Sequence, residues 1–371
     1  MSHARPVETI LFAGGGTGGH LFPGVALAEE FQRRDSKVRI VFAGTRRGLE
    51  ARVIPELGYP LAFLEVHGLV GIGGRRRLKA LLSFPRALVQ ALILLVRYRP
   101  SLVVGLGGYA SAPVLLAAMI GGIPWVLQEQ NAFPGVVNRL LAPFARAVFI
   151  AFDDAAKYLG SRRIRNCGNP LRRLAEGEAE DDGVNGSRDP ESFTLLVIGG
   201  SQGARVLNRV VPVAFGKLAS RYPGLRVVHQ SGVAEFEKVR QAYSDFPDRA
   251  EVVDFINDIG RRYRQSDLVI CRAGALTLAE LAQLGKPAIL VPFPHAAHDH
   301  QVCNARAFAA AGAARVRFES EFDESILTAD IEDLVKDREG LAAMAAAARS
   351  LARPAAREEI VDHCLKLIGE G

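Results

Sequence analysis

Apolar residues along this chain follow two alternating rhythms. Short unbroken runs, RIVFAG (39–44), LVVGLG (102–107), AVFIAF (147–152), RVVHQS (226–231), EVVDFI (251–256), LVICRA (268–273) and AILVPF (288–293), are separated by stretches with apolar residues at helical spacing. Strands apolar on both faces belong inside parallel sheets, so the alternation predicts an α/β chain of doubly wound parallel sheets. The opening pattern also returns. ETILFAGGGTGGHLFPGVALAEEF near the start and FTLLVIGGSQGARVLNRVVPVAF from residue 193 each read as strand, glycine turn and helix. Two units end to end, their strand ends facing a central cleft, are the expected architecture, and 371 residues suit two domains.

Residues 168–192, rich in Gly, Asp, Glu and Ser, read as a connector between a domain at 1–167 and one at 193–350. An Ala-rich helix is expected over roughly 339–369, with 351–371 as a C-terminal segment. Residues 101–128 carry no charge over a length that spans a bilayer. Gly105, Gly107, Gly108, Pro113, Gly121, Gly122 and Pro124 divide that stretch into strand, turn, short helix, turn and strand, which favours a buried β-α-β unit over a membrane span.

Composition narrows the class. Hydrophobic residues at 49% and charged residues at 23% are a globular balance. Cys167, Cys271, Cys303 and Cys364 form no CxxC, which argues against a zinc ribbon or disulfide framework, and the first residues lack a secretory signal, so the cytoplasm is the expected compartment. The net charge of +6 is unevenly spread, with no acid between Glu65 and Glu129. Within that interval, the region from Gly71 to Arg99 mixes arginines with leucines and reads as a basic, apolar-striped helix pair lying on anionic lipid, or as a solvated helix with one core face. Nucleic acid is disfavoured: the segment has few aromatics and no reader motif.

Glycines before a helix let backbone N–H groups and the helix dipole meet a phosphate, and both Gly14–Gly19 and Gly199–Gly203 have that form. Gly14-x-Gly16-x-x-Gly19 also has dinucleotide spacing, but that site needs an acid at the end of the next strand, where Gly44-Thr45-Arg46-Arg47 stands. In the second half, Glu280 in CRAGALTLAEL has the place to hold a ribose diol. Thr277-x-x-Glu280 is equally a capping box without any ligand. His295, His298, Asp299 and His300 cluster at metal-ligand spacing, although helix dipoles can replace a cation.

Together, GGGTGGHLFPGVALA, GLGGYASAP, QEQNAFPGVVNR, CGNPLRR, GGSQGAR, HQSG, CRAGALTLAEL and PFPHAAHDHQVCNA resemble, in order and over residues 8–315, the MurG family of bacterial N-acetylglucosaminyltransferases. The resemblance implies a GT-B fold, with the last helix returning to the N-terminal domain. It implies inverting transfer of N-acetylglucosamine from UDP-N-acetylglucosamine (UDP-GlcNAc) to the 4-hydroxyl of the muramyl sugar of lipid I, giving lipid II, without cofactor or catalytic metal. Lipid I, an anionic membrane surface and cell-wall synthesis proteins are the implied partners, and peripheral attachment to the cytoplasmic membrane face the implied location. Ser201, Gln202, Ile256, Arg272, Ala275, Leu276, Thr277, Glu280, His300 and Gln301 are the implied donor residues of the C-terminal domain. Thr17, Gly18, Gly19, Asn131 and Arg172 join them from the other side of the cleft, while Gly14, Gly15, Gly16, Gly107, Gly108 and Tyr109 surround the acceptor diphosphate.

Inversion needs a base for the attacking hydroxyl. An imidazole suits the task, which points to His20, with Glu129 as competitor. A cap or phosphate role for His20, an orienting role for Glu129 and a packing role for Tyr109 stand beside these readings. Another GT-B lipid glycosyltransferase, a UDP-GlcNAc 2-epimerase and a non-catalytic UDP-sugar sensor are the rival functions.

Overall fold

A computed structural model describes residues 8–66, 74–172, 191–200, 203–294, 296 and 299–369, except the side chains of 74–82. The chain divides into two compact units, Met1–Arg172 with Arg353–Gly371, and Arg173–Ala352.

In the first unit, strands β1 (Thr9–Gly14), β2 (Arg39–Gly44), β3 (Leu61–Phe63), β4 (Leu102–Gly107), β5 (Trp125–Glu129), β6 (Ala147–Ile150) and β7 (Ile164–Asn166) form one parallel sheet in the order β3-β2-β1-β4-β5-β6-β7. Every residue of β1 and β4 is buried, because helices cover both faces. Side chains alternate between two cores. Leu11, Ala13, Val41, Ala43 and Val103 meet the helices Gly74–Tyr98 and Ser111–Ile120. Ile10, Phe12, Ile40, Phe42 and Leu102 meet Gly18–Arg34 and the last helix, Ala356–Gly369. The uncharged stretch 101–128 is a strand–helix–strand unit, and among the described residues no helix is long and apolar enough to cross a membrane.

In the second unit, β8 (Phe193–Ile198), β9 (Leu225–Gln230), β10 (Ala250–Val253), β11 (Leu268–Cys271), β12 (Ala288–Leu290) and β13 (Ala314–Val316) are parallel in the order β10-β9-β8-β11-β12-β13. The repeat seen in the sequence is thus a repeat of topology: the first strand of each unit lies inside its sheet, and the chain winds outward in both directions.

Three boundaries differ from expectation. The basic region holds one helix, Gly74–Tyr98, rather than a pair. Its inward face, Ala87, Ala91, Leu94 and Leu95, lies on the sheet, and this packing sustains the helix past Pro85. The Ala-rich segment is two helices, Arg338–Ser350 and Ala356–Gly369, separated at Pro354, which has no amide hydrogen to continue the ladder. Gly168, Asn169 and Pro170, assigned to the connector by composition, are buried in the first unit, while 173–190 lie outside the described residues.

Ile360 is 0% exposed in the core beneath the last helix. Ile360→Ala is expected to cost about 2–5 kcal/mol, read by calorimetry as a lowered Tm for the transition of the first unit.

Candidate active site

In an open parallel sheet, ligands bind beyond the strand carboxyl ends where the winding reverses, because the loops there diverge and leave backbone N–H groups exposed. The reversals fall between β1 and β4 in the first unit and between β8 and β11 in the second. Three of the four loops at those points were singled out as glycine turns, and the fourth carries Arg272–Gly274.

In the first unit, Gly14, Gly15 and Gly16 have φ of 153°, 148° and 93°. The residue holding this loop was missed by sequence reasoning. Glu50, 0% exposed, accepts hydrogen bonds from Gly16 N–H (2.7 Å), Thr45 N–H (2.8 Å) and the Thr45 hydroxyl (2.9 Å). A Cβ at Gly15, Gly44 or Gly48 would collide with its side chain, which accounts for all three glycines. The end of β2 itself carries no acid, and the acid that follows, Glu50 at the start of the next helix, has its oxygens bound to the loop.

His20 lies in the first turn of the helix Gly18–Arg34, its Nδ1 2.9 Å from Gln130 Oε1. Its ring edge lies beside the second turn, where a Cβ on Gly108 would approach Cδ2 to 3.4 Å and the Gly15 carbonyl to 3.1 Å. The two glycine turns and His20 are thus brought together. The cap role falls away: Thr17 is the N-cap, and no side chain caps the helix. Tyr109 is 38% exposed, against a pure packing role.

Glu129 is not placed as a base. It is 1% exposed, and its oxygens accept from Asn131 N–H (2.9 Å), Gly135 N–H (3.1 Å) and Asn138 Nδ2 (2.9 Å). It shapes the loop carrying Asn131. Arg172 also departs from expectation: it pairs with Glu29 at 2.8 Å, nine residues beyond His20 and about 14 Å along the helix at 1.5 Å per residue.

In the second unit, the turn at Gly199–Gly203 is braced by Gln230, whose Nε2 donates to the Gly200 carbonyl at 3.2 Å, while Gly203 N–H donates to the same oxygen at 2.9 Å. Ser201 and Gln202, like His295 and His298, lie outside the described residues. The helix Ala275–Leu284 begins at Gly274, which has no side chain to cap it, and Ala275, Leu276 and Thr277 form its first turn. Thr277 lies inside the helix rather than before it, which removes the capping box.

Glu280 instead accepts from the Tyr263 hydroxyl at 3.0 Å. Burial raises its carboxyl from an ordinary value near 4.5 to about 7, with the Tyr263 hydrogen bond pulling the other way. Arg272 is a strut: it pairs with Glu319 at 2.7 Å and donates to the carbonyls of Val291 (3.1 Å) and Pro292 (3.3 Å). Gln301 Oε1 accepts from Phe293 N–H at 3.0 Å, His300 opens the helix His300–Ala310, and Ile256 lies buried beyond β10.

Residues 10–150 match the glycosyltransferase family 28 N-terminal domain, and 194–360 the family 28 C-terminal domain. A Myxococcus xanthus (strain DK1622) protein named UDP-N-acetylglucosamine–N-acetylmuramyl-(pentapeptide) pyrophosphoryl-undecaprenol N-acetylglucosamine transferase is 46% identical over 97% of this chain and 93% of its own. A Syntrophotalea carbinolica protein of the same name is 43% identical over 97% and 99%. The crystal structure of Acinetobacter baumannii MurG is 29% identical, with a TM-score of 0.79 over 97% of this chain and 99% of that one.

The chain belongs to the MurG family. Its fold is accordingly GT-B, with a Rossmann-like sheet in each unit. Within this family member, the residues that sequence reasoning missed are Glu50, Gln130 and Tyr263. Each is a buried polar partner supplied by a different element, and no spacing signal marks such a pair.

Glu280 binds its proton more tightly folded than unfolded, so its contribution to stability is fully present below about 4.5 and is lost as pH rises through about 7. Glu280→Gln, which carries no charge, is expected to have a higher Tm than the parent near pH 8 and nearly the same Tm near pH 4. Paired thermal melts at the two pH values check this.

Proposed function

We propose that this chain transfers N-acetylglucosamine from UDP-GlcNAc to the C4 hydroxyl of N-acetylmuramic acid in lipid I, forming lipid II. The observation that carries the reading is the 46% identity, over nearly the whole of both chains, to a transferase named for that reaction. Ligand-ready turns at the winding reversal of each sheet support it.

In this reading, the second unit binds the donor. Glu280 as carboxylate accepts from the ribose hydroxyls, the Ile256 backbone meets uracil, and Gln301 with His300 meets the sugar. The diphosphate lies against the starts of the helices Arg205–Ala219 and Ala275–Leu284, whose dipoles stabilise the charge that builds as UDP departs. Arg272 acts through the loop it braces.

The acceptor diphosphate lies on the glycine turns of the first unit, beside Tyr109. His20 Nε2 takes the proton from the C4 hydroxyl as its oxygen bonds to the anomeric carbon. The bond from that carbon to the diphosphate oxygen breaks, and its electron pair leaves with UDP. Direct attack inverts the configuration to a β-linkage, and the imidazolium returns its proton to solvent. A positioned base is worth about 10²–10⁴-fold, so His20→Ala is expected to lower kcat by about that factor while leaving the KM for UDP-GlcNAc nearly unchanged. Transfer of labelled N-acetylglucosamine to a short-chain lipid I analogue tests both the reaction and the residue. Donor binding without transfer to that acceptor would overturn the reading.

The acceptor is anchored by a polyprenyl chain, which calls for attachment at the cytoplasmic membrane face. Val89, Ile93 and Val96, spaced four and three residues apart, form an apolar stripe 55%, 63% and 72% exposed on the helix Gly74–Tyr98, with Arg86 and Arg97 exposed beside it. Apolar side chains flanked by arginines suit insertion at an anionic bilayer surface. Ile93→Asp is expected to reduce co-sedimentation with phosphatidylglycerol vesicles and to spare transfer to a detergent-soluble acceptor.

A further inference from the structure

Gln128, Gln130 and Asn169 have no part in the chemistry above, yet they are 0%, 1% and 5% exposed. Their amides join head to tail. Asn169 Nδ2 donates to the backbone carbonyl of Gln130 at 3.1 Å, and Asn169 Oδ1 accepts from Gln128 Nε2 at 3.1 Å. Gln128 Oε1 accepts from Gln130 Nε2, and Gln130 Oε1 faces His20 Nδ1 at 2.9 Å.

The direction of this chain is set by groups that can only accept. Gln130 Nε2 also donates to the backbone carbonyls of Leu106 (3.0 Å) and Gln128 (3.1 Å). Turning the amide over would set its oxygen against both carbonyls in a buried site. The oxygen therefore faces His20, and Nδ1 must supply the hydrogen.

We propose that Gln130 is a positioning residue that holds neutral His20 as the Nδ1–H tautomer, leaving the lone pair on Nε2 for the proton of the acceptor hydroxyl. This rests on the reading of His20 as the base. Nε2 is the nitrogen on the side of the Gly107–Gly108 turn, where φ of 88° and 74° favours glycine and a Cβ on Gly108 would come within 3.9 Å of it. The neighbouring carboxylates are occupied by other donors, Glu50 by Gly16 and Thr45, and Glu129 by Asn131, Gly135 and Asn138. The orienting partner is thus a neutral amide. It selects the tautomer as a carboxylate would, without adding a negative charge that holds the proton on the ring after transfer.

The test reads the tautomer directly. The full chain, labelled with ¹⁵N-histidine, is observed by long-range ¹H–¹⁵N correlation above the pH at which its rings lose their charge. His20→Gln identifies the resonance among the eight histidines. The expected result is a protonated Nδ1 and an unprotonated Nε2 at His20. A proton resident on Nε2 would overturn the proposal without recourse to any variant. Gln130→Met, which keeps length and removes the acceptor, is expected to mix the tautomers and lower kcat by up to about 10²-fold at unchanged KM for UDP-GlcNAc. A folded Gln130→Met chain with unchanged tautomer or unchanged kcat would also overturn it. Failure of the base reading is separate: it would appear as full turnover by His20→Ala, whatever the ring spectrum of the parent.

Discussion

The constraint on which the rest of this structure depends is the reversal of winding in each parallel sheet. Strands β1 and β4, and again β8 and β11, are neighbours whose connections leave in opposite directions. Their loops diverge instead of pairing with one another as strands do, which opens a crevice at the strand ends. Packing alone demands glycine there, because a Cβ on Gly14 would meet the Leu106 side chain at 2.8 Å and the Gly107 carbonyl at 2.9 Å.

Such loops would be floppy if glycine alone shaped them. Buried acids and amides supply the stiffness. Glu50 ties the first turn to the end of β2, Glu129 ties together the loop from Asn131 to Asn138, and Gln230 closes on the Gly200 carbonyl. A buried carboxylate is tolerable only when donors surround it, so each of these groups commits its loop to one shape. The same logic gives His20 a fixed ring: its Nδ1 meets an amide that has no second orientation.

Glu280 stands apart from these. Its carboxyl is pushed up to about 7 by burial and has the Tyr263 hydroxyl as partner. A group destabilised as an anion in the free protein gains most from a ligand that brings hydroxyl donors to it.

The sequence by itself determined the class of fold, the two glycine-turn units and the family, because short unbroken apolar runs, helical spacing and glycine turns are local signals. It also marked the basic, apolar-striped region, though not that one helix would run through Pro85. The tertiary structure alone decided which polar groups meet. Glu50 reaches a loop 34 residues away and Gln130 reaches His20 across 110, and neither partner can be read from its own surroundings. For the same reason the partners of Glu129, Arg172 and Arg272 are invisible in the sequence: a charged residue looks free until the folded chain supplies its partner. Hydrogen-bond satisfaction is a property of the folded neighbourhood, and only parallel strands brought side by side reveal who satisfies whom.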